Sequence, residues 1–293
     1  MHYRSSIMAL MNRLDTKTRT QVIRCLVEGN SIRSTERITG VTKKAITRLL
    51  VEIGEVCREH QDQAFRNLTC QRLQLDEIWS FCSAKQKNAS EEKKAHGWGD
   101  VWTWTAIDAD TKLIPSWLIG KRDAVCATEF VQDLAARLKN RVQITSDGHR
   151  AYLVAIEAAF GSDVDYAQLI KIYGKPLGKD AETRYSQPEC IGIETKIIAG
   201  DPDMDHVSTS YVERSNLSIR MQVRRFTRLT NAFSKKIANH AAAFALYMMF
   251  YNFARVHHTL RITPAMAAGV SSHVWSIEEI VGLLERREAT KAS

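Results

Sequence analysis

Three acidic residues, Asp76, Asp147 and Glu213, have the types and settings that metal-assisted phosphodiester chemistry requires. Magnesium binds through one or two carboxylates and takes the rest of its shell from water and substrate phosphates. Two such ions, about 4 Å apart, activate a water or a 3′-hydroxyl and stabilise the leaving oxygen. Three carboxylates on separate elements could therefore hold two Mg²⁺ or Mn²⁺ ions.

Each of these acids also has an ordinary structural interpretation. Asp76 could be a hydrogen-bonded or salt-bridged surface acid. Asp147 belongs to an Asp-Gly pair, which is common in turns. Glu213 could simply be an acid at a helix N-terminus, where the helix dipole favours it. The spacing of the three residues leaves these alternatives open.

Neighbouring acids are competing candidates for the same site. Asp108 and Asp110 fall in the predicted turn of a hairpin, where an exposed role is expected. Glu77 directly follows Asp76, and successive side chains of a strand point to opposite faces. A regular strand would therefore keep Glu77 out of the site.

A basic run follows Glu213 in the segment 209–236, with seven Lys or Arg and no further Asp or Glu. As one helix, this run would place Arg220, Arg224 and Arg228 near one line. Contacts to phosphate position a protein without reading sequence, so binding is expected to depend strongly on salt. The candidates for DNA-backbone contacts are Arg214, Arg220, Arg224, Arg225, Arg228, Lys235 and Lys236.

Residues 1–60 predict an all-α helix-turn-helix module. Apolar spacing indicates helices at 18–28, 32–38 and 43–56, with Ser31 and Thr42 as N-caps. A turn containing glycine separates the last two helices, and the third would enter the major groove of DNA. A plain three-helix bundle is the alternative. The residues predicted to face DNA are Lys43, Lys44, Thr47 and Arg48.

The chain beyond a predicted linker at 61–70 indicates a mixed α/β domain at 71–270 and a helical tail at 271–293. Asp76 lies within the first predicted strand and Asp147 at the end of the fourth. Ligand sites form at strand ends in such sheets. The predicted strands are 73–81, 101–107, 112–119, 141–146 and 164–172, the predicted helices 123–140 and 151–160, and an insertion with one hairpin or extended pair occupies 173–206.

Three motifs, LDEIWSF, ITSDGHRAY and YVERSNLSIRMQVRRFTRLTNAFSKK, resemble the catalytic segments of bacterial DDE transposases, and most closely those of the insertion-sequence-one type. The resemblance covers about 73–269. It implies the RNase H-like fold of the integrase superfamily, with a five-stranded mixed sheet. It also implies catalytic, metal-binding roles for Asp76, Asp147 and Glu213. Arg220, two helical turns after the acid, would contact phosphate.

The activity implied by the resemblance is cutting at the ends of a mobile element and joining them to target DNA, with two Mg²⁺ or Mn²⁺ ions. Because joining two ends needs two active sites, a homodimer or larger assembly on double-stranded DNA is expected. Typical members carry a zinc module ahead of the helix-turn-helix. No cysteine pair stands there, so the helix-turn-helix must do more of the end recognition. A DNA-binding regulator without catalysis and a nuclease without strand transfer are the alternatives.

The resemblance implies a bacterial, cytoplasmic, nucleoid-associated protein without membrane contact, and the composition is compatible with that expectation. The net charge of +8 permits an anionic partner. Six scattered cysteines without a CxxC pair indicate reduced thiols. The N-terminus lacks the long apolar segment of a secretory signal. The apolar run 241–254 is shorter than the roughly 20 residues that cross a bilayer, so it predicts a core helix.

Overall fold

The computed structural model describes residues 13–95, 97–174, 189–227 and 230–292. The chain divides into two compact units. The first is formed from Met1–Ala64, Phe81–Gly99 and Ser218–Ser293, and the second from Phe65–Ser80 and Asp100–Leu217. The helices are α1 (Thr16–Val27), α2 (Ile32–Thr39), α3 (Lys43–Ala64), α4 (Glu91–Ala95), α5 (Ala124–Ala135), α6 (Ala151–Phe160), α7 (Ser210–Gln222), α8 (Ile237–Met249), α9 (Pro264–Ala267) and α10 (Ile277–Ala292). The strands are β1 (Arg72–Cys82), β2 (Gly99–Asp108), β3 (Trp117–Gly120), β4 (Val142–Ser146), β5 (Val164–Tyr173) and β6 (Cys190–Ala199).

The three predicted N-terminal helices and their caps are present in the first unit. Ser31 accepts a hydrogen bond from the Ser34 amide (3.0 Å) and begins α2. Gly40, in the left-handed conformation, ends this helix. The third helix is longer than predicted, because α3 continues through the first residues of the expected linker. Gln61, buried on α3, donates to the carbonyl of Ala245 on α8 (3.2 Å), which anchors this extension in the core.

The apolar run 241–254 forms the core of the first unit, as predicted. It comprises most of α8 and the π-helical turn Phe250–Ala254. Helix α3 packs so closely on α8 that a Cβ atom on Gly54 would lie 2.5 Å from the Cα of Ala242. Helix α10 is tied to α1 by ion pairs such as Arg19–Glu288 (3.1 Å). No helix among the described residues has the length and apolarity to span a bilayer.

The second unit contains a mixed six-stranded sheet in the order β3-β2-β1-β4-β5-β6, with helices α5 and α6 among its flanking elements. Strands β1, β4 and β5 are parallel, whereas β3 is antiparallel to β2 and β6 to β5. Trp104 of β2, fully buried, packs against Phe130 of α5 and edge-on against Tyr152 of α6. The predicted mixed α/β sheet with flanking helices is therefore confirmed.

The prediction of five strands is corrected to six. The extra strand, β6, comes from the predicted insertion at 173–206 and pairs antiparallel with β5. The pattern there predicts only one hairpin or extended pair outside the sheet, because the isoleucines of β6, such as Ile191 and Ile193, are exposed and do not mark a face that packs in the core. Part of the predicted insertion, 175–188, lies outside the described residues.

The prediction of one continuous basic helix behind Glu213 is also wrong. Helix α7 ends at Gln222, and the next residues form the 3₁₀ turn Arg224–Phe226. The chain turns there because Val223 and Phe226 are both buried, so the apolar core and not the helical repeat sets its direction. Arg224 is therefore not aligned with Arg220. Arg228 lies outside the described residues.

Candidate metal centre and basic groove

Asp76 and Asp147 are brought together by the parallel pairing of β1 with β4. The paired residues run from Arg72 and Gln143 to Leu75 and Ser146. Asp76 directly follows this ladder on β1, and Asp147 directly follows the end of β4. The register therefore places both carboxylates at the same edge of the sheet, where ligand sites form in such folds.

Glu77 joins these two acids, contrary to the prediction. One carboxylate oxygen from each of Asp76, Glu77 and Asp147 lies within 4.8 Å of the other two. Successive side chains of a strand point to opposite faces of the sheet, and a paired neighbouring strand keeps the two faces apart. Because β4 ends at Ser146 while β1 continues, side chains from both faces of β1 can approach Asp147.

The Glu77 carboxylate is almost completely enclosed, with 8% of the residue exposed. Its Oε2 accepts a hydrogen bond from Arg122 Nε (3.1 Å), and Arg122 Nη2 lies 3.7 Å from Asp147 Oδ2. The guanidinium also lies over the ring of Trp102, 5.0 Å from its centroid. Glu77 Oε1, in contrast, is buried without a hydrogen-bond partner among the described residues.

Asp76 is positioned by its own strand and by helix α7. Its Oδ1 accepts from the Glu77 amide (2.8 Å), and its Oδ2 from Asn216 Nδ2 (2.6 Å). The first turn of α7 is held to β1 by Gln74, whose Oε1 accepts from the amides of Tyr211 and Val212 (2.8 and 3.0 Å). These amides are among the unpaired donors of a helix N-terminus, so Gln74 both caps α7 and places Asn216 beside Asp76.

Burial and mutual repulsion act on the acids of this group. Burial, reinforced by the charges of Asp147 and Glu213, raises the pKa of Asp76 to about 6, although its two hydrogen bonds oppose the change. Burial and the charge of Asp147 raise the pKa of Glu77 to about 7, against the lowering influence of Tyr152 and Arg122. A cation at this place would relieve both causes, since it supplies the opposite charge that the buried carboxylates lack.

Glu213 lies apart from the three clustered acids. Both of its oxygens accept from Lys171 Nζ (2.5 and 2.6 Å), and Oε1 also accepts from Thr209 (2.6 Å). Glu213 is nevertheless near enough for its charge to raise the pKa of Asp76. The structure thus brings two of the three predicted acids together and engages the third with a lysine of β5.

The donor set fits a hard divalent cation. Carboxylate and amide oxygens are the ligands that Mg²⁺ and similar ions prefer. Two such oxygens, Glu77 Oε1 and Asn216 Oδ1, are buried beside the acids without a hydrogen-bond partner in the described part of the chain. Buried oxygens without partners are rare and call for an explanation such as an unseen ion.

The competing acids Asp108 and Asp110 have structural partners. Asp108 is buried and accepts from the amide and the hydroxyl of Thr111 (3.2 and 2.6 Å), which fixes the turn after β2. Asp110 pairs with Arg72. The turn role predicted for both residues is confirmed, but Asp108 is enclosed and not exposed.

Several of the predicted basic residues line one groove in the first unit. The groove has a volume of about 720 Å³ and runs between the start of α3 and the segment 222–247. Its apolar floor includes Leu50 and Leu246, and no acidic residue lines it among the described residues. The lining residues that carry positive charge are Arg33, Lys43, Arg224, Arg225 and Lys235.

The basic residues differ in their exposure to solvent and in the protein groups that they already contact. Arg225 is largely buried, donates to Ser234 Oγ (3.0 Å), and has its pKa lowered by burial, so it mainly supports the groove wall. Arg220 is half-buried and donates to the carbonyl of Phe226 (3.5 Å). Lys43 pairs with Glu36 (3.6 Å). The exposed members of the predicted set are Lys43, Lys44, Arg48, Arg214, Arg224, Lys235 and Lys236, with Thr47 half-buried.

Four site residues escaped sequence reasoning: Arg122, Lys171, Asn216 and Arg33. Asn216 follows Glu213 by three positions on α7, and that spacing was the only available signal, since residues three apart share a helix face. Arg122 and Lys171 reach the acids from distant parts of the sequence. Arg33 reaches the groove from α2, and its place there depends on how the helices pack.

Comparison with known proteins gives distant structural matches and no sequence match. No family model matches the chain, and no curated protein matches it. Among solved structures, a piggyBac transposase in a synaptic complex with hairpin DNA, determined by cryo-electron microscopy, is similar at a TM-score of 0.41 and 9% sequence identity. The match covers 93% of this chain and 72% of that chain. Similarity at this level does not assign an activity.

Proposed function

We propose that this protein is a metal-dependent DNA transposase of the DDE type, which cuts at element ends and joins them to target DNA. The proposal is carried by one observation. Asp76 and Asp147, singled out by the sequence motifs, meet at the edge of the sheet beside buried oxygens without hydrogen-bond partners. The insertion-sequence-one subtype and the RNase H-like classification of the second unit belong to the same proposal.

In this proposal Asp76, Asp147 and Glu213 hold two Mg²⁺ or Mn²⁺ ions, which supply charge for an activated oxygen nucleophile and a leaving oxygen. Asn216 fixes the orientation of the Asp76 carboxylate through its 2.6 Å hydrogen bond. Arg122 holds Asp147 and Glu77 on the side of Trp102. The chain's own contribution is thus a set of oriented carboxylates whose remaining negative charge bound cations would balance.

The basic groove is the proposed contact surface for DNA. Lys43 at the start of α3 lies on the same groove as Arg224 and Lys235, so the helix-turn-helix and the segment behind α7 would bind one continuous stretch of backbone. Lys44, Thr47 and Arg48 line an adjacent depression along α3, where base edges would be read. Arg214, Arg220 and Lys236 remain proposed backbone contacts.

The test is a reaction with labelled element ends, a target plasmid and Mg²⁺ or Mn²⁺, the ends being taken from inverted repeats that flank the coding region. Transposase activity predicts joined products in which a labelled 3′ end is covalently linked to the plasmid. Asp147→Ala should abolish cleavage but retain DNA binding. Asp163→Ala, which removes an exposed acid of the same unit, is the matched control and should retain activity.

Two outcomes would replace the proposal. Nicks without joined products, removed by Asp147→Ala, would show a nuclease without strand transfer. A mobility shift without any cleavage would show a DNA-binding regulator. The expected homodimer or larger assembly is tested in the same reaction by measuring the mass of the protein–DNA complex, because joining two ends needs two copies of the site.

A further inference from the structure

Glu77 is the one acid of the cluster to which neither the motifs nor the proposed reaction gives a role. Its position is unusual on two grounds. The side chain is buried beside two other carboxylates, and one of its oxygens has no hydrogen-bond partner among the described residues. Burying a carboxylate oxygen without a full set of partners costs free energy, and the Tyr152 hydroxyl, which lowers the pKa of Glu77, offsets only part of that cost.

A second buried group is directed at the same place. Tyr152 is fully buried, and its hydroxyl lies close enough to Glu77 to lower the pKa of that carboxyl. Burial first, and then the charges of Glu77, Asp76 and Asp147, raise the pKa of the Tyr152 hydroxyl, so this hydroxyl lies near the whole cluster. Asn216 Oδ1, buried beside Asp76 without a hydrogen-bond partner in the described part of the chain, would gain a partner from a bound cation or its water shell.

The charges favour a cation at this cluster more than at Glu213. Asp76, Glu77 and Asp147 carry three negative charges when ionised, and Arg122 returns one positive charge. The remaining charge of −2 matches one divalent ion. Glu213 and Lys171 already form a neutral pair.

The distances also suit a metal shell. Opposite oxygens of an octahedral Mg²⁺ shell lie about 4.2 Å apart, twice the metal–oxygen distance. Adjacent oxygens of the same shell lie about 3.0 Å apart. The three oxygens of the cluster lie within 4.8 Å of one another, so they are near enough to converge on one ion when the side chains move inward.

We propose that Glu77, together with Asp76 and Asp147, binds the first divalent cation, and that Glu213 is not required for this step. The inference rests on the proposed function, since it adds a ligand to the same metal centre. Glu213, engaged by Lys171, is then left to complete the second ion site once DNA is present.

The test measures Mn²⁺ binding to the full chain without DNA, from the paramagnetic resonance signal of the free ion. Glu77→Gln should weaken binding of the first Mn²⁺ by at least about tenfold, since loss of even an outer-shell partner of a metal site typically costs about 10- to 100-fold in affinity. Glu157→Gln removes the same charge from an exposed position on α6 and is the matched control, with unchanged binding. Glu213→Gln should weaken the first Mn²⁺ far less than Glu77→Gln, because it removes a charge that acts on Asp76 but no proposed ligand of this ion.

Wild-type affinity in Glu77→Gln would overturn the inference and leave the proposed function standing. Loss of the first ion in Glu213→Gln but not in Glu77→Gln would overturn it as well. Absence of Mn²⁺ binding in the wild-type chain would overturn the metal centre and with it the proposed function, a result that differs from failure of the inference on Glu77 alone. If Glu77→Gln does not fold, as judged by thermal unfolding in chelator, Glu77→Asp keeps the charge, shortens the reach, and should show the same loss of affinity.

Discussion

Lys171 offers a sharp test of whether Glu213 belongs to the metal centre. Its ammonium group contacts both oxygens of Glu213 at 2.5 and 2.6 Å, so it takes the place that a cation would need. If Glu213 binds the second ion, Lys171 competes with that ion. Replacing Lys171 with Met, which is similar in length and uncharged, should therefore make the second site easier to fill.

The size of the effect follows from the exposure of the pair. Two unit charges at about 4 Å attract by about 4 kcal/mol at an effective dielectric constant of 20 and by about 1 kcal/mol in water. The side chains of Lys171 and Glu213 are 29% and 43% exposed, so solvent screening places the value toward the lower end. A competing contact of about 1 to 2 kcal/mol corresponds to about 5- to 30-fold in ion affinity.

The assay is the Mn²⁺ concentration that gives half-maximal DNA cleavage. Lys171→Met should lower this concentration by the stated factor, whatever happens to the maximal rate. Lys196→Met, which removes an exposed lysine paired with Glu194 on β6, is the control and should leave it unchanged. An equal or higher Mn²⁺ requirement in Lys171→Met would refute the reasoning, because it would show that Lys171 does not compete for Glu213.

Three further predictions concern packing, DNA binding and pH. Gly54→Ala should destabilise the protein by about 1 to 2 kcal/mol, because overpacking against α8 outweighs the higher helix propensity of alanine. Gly282→Ala on α10 has room for the added methyl group and should stabilise the protein. Urea unfolding measures both changes. Arg224→Ala and Lys235→Ala should each reduce the salt slope of DNA affinity by about one, measured by fluorescence anisotropy. Burial lowers the pKa of His240 to about 3, so this histidine gains a proton only when the protein unfolds. The free energy of unfolding should therefore fall by about 2 kcal/mol as the pH is lowered from 7 to 5. In urea unfolding, His240→Gln should show a weaker dependence of this free energy on pH.

The elements that place Asp76 and Asp147 could be predicted because their signals are local. Asp76 lies within, and Asp147 directly after, a strand with a strong apolar pattern, and the predicted bounds of β1 and β4 differ from the observed ones by at most one residue at each end. Helix α6 has the predicted bounds, Ala151–Phe160. The order of the elements predicted a mixed sheet, whereas the parallel pairing of β1 with β4 is seen only in the structure.

The composition of the site could not be predicted to the same degree, because it depends on where neighbouring elements stop. The prediction for Glu77 is wrong because the alternation of side chains describes a single strand. Whether Glu77 can approach Asp147 depends instead on where the neighbouring strand, β4, ends. The end of α7 at Gln222 has no Gly or Pro to mark it and is set by burial of Val223 and Phe226. The contact of Lys171 with Glu213 joins residues 42 positions apart and leaves no pattern in the sequence.

The length of α3 has a consequence for recognition. This helix of 22 residues is about 33 Å long. Its first turn carries Lys43 and Lys44 on the surface, while its later turns are fixed against α8 at Gly54 and Gln61. The proposed DNA-binding surface is therefore one end of a helix whose other end is part of the hydrophobic core. Such a surface is already ordered before it meets a ligand, so little conformational entropy is lost when a ligand binds.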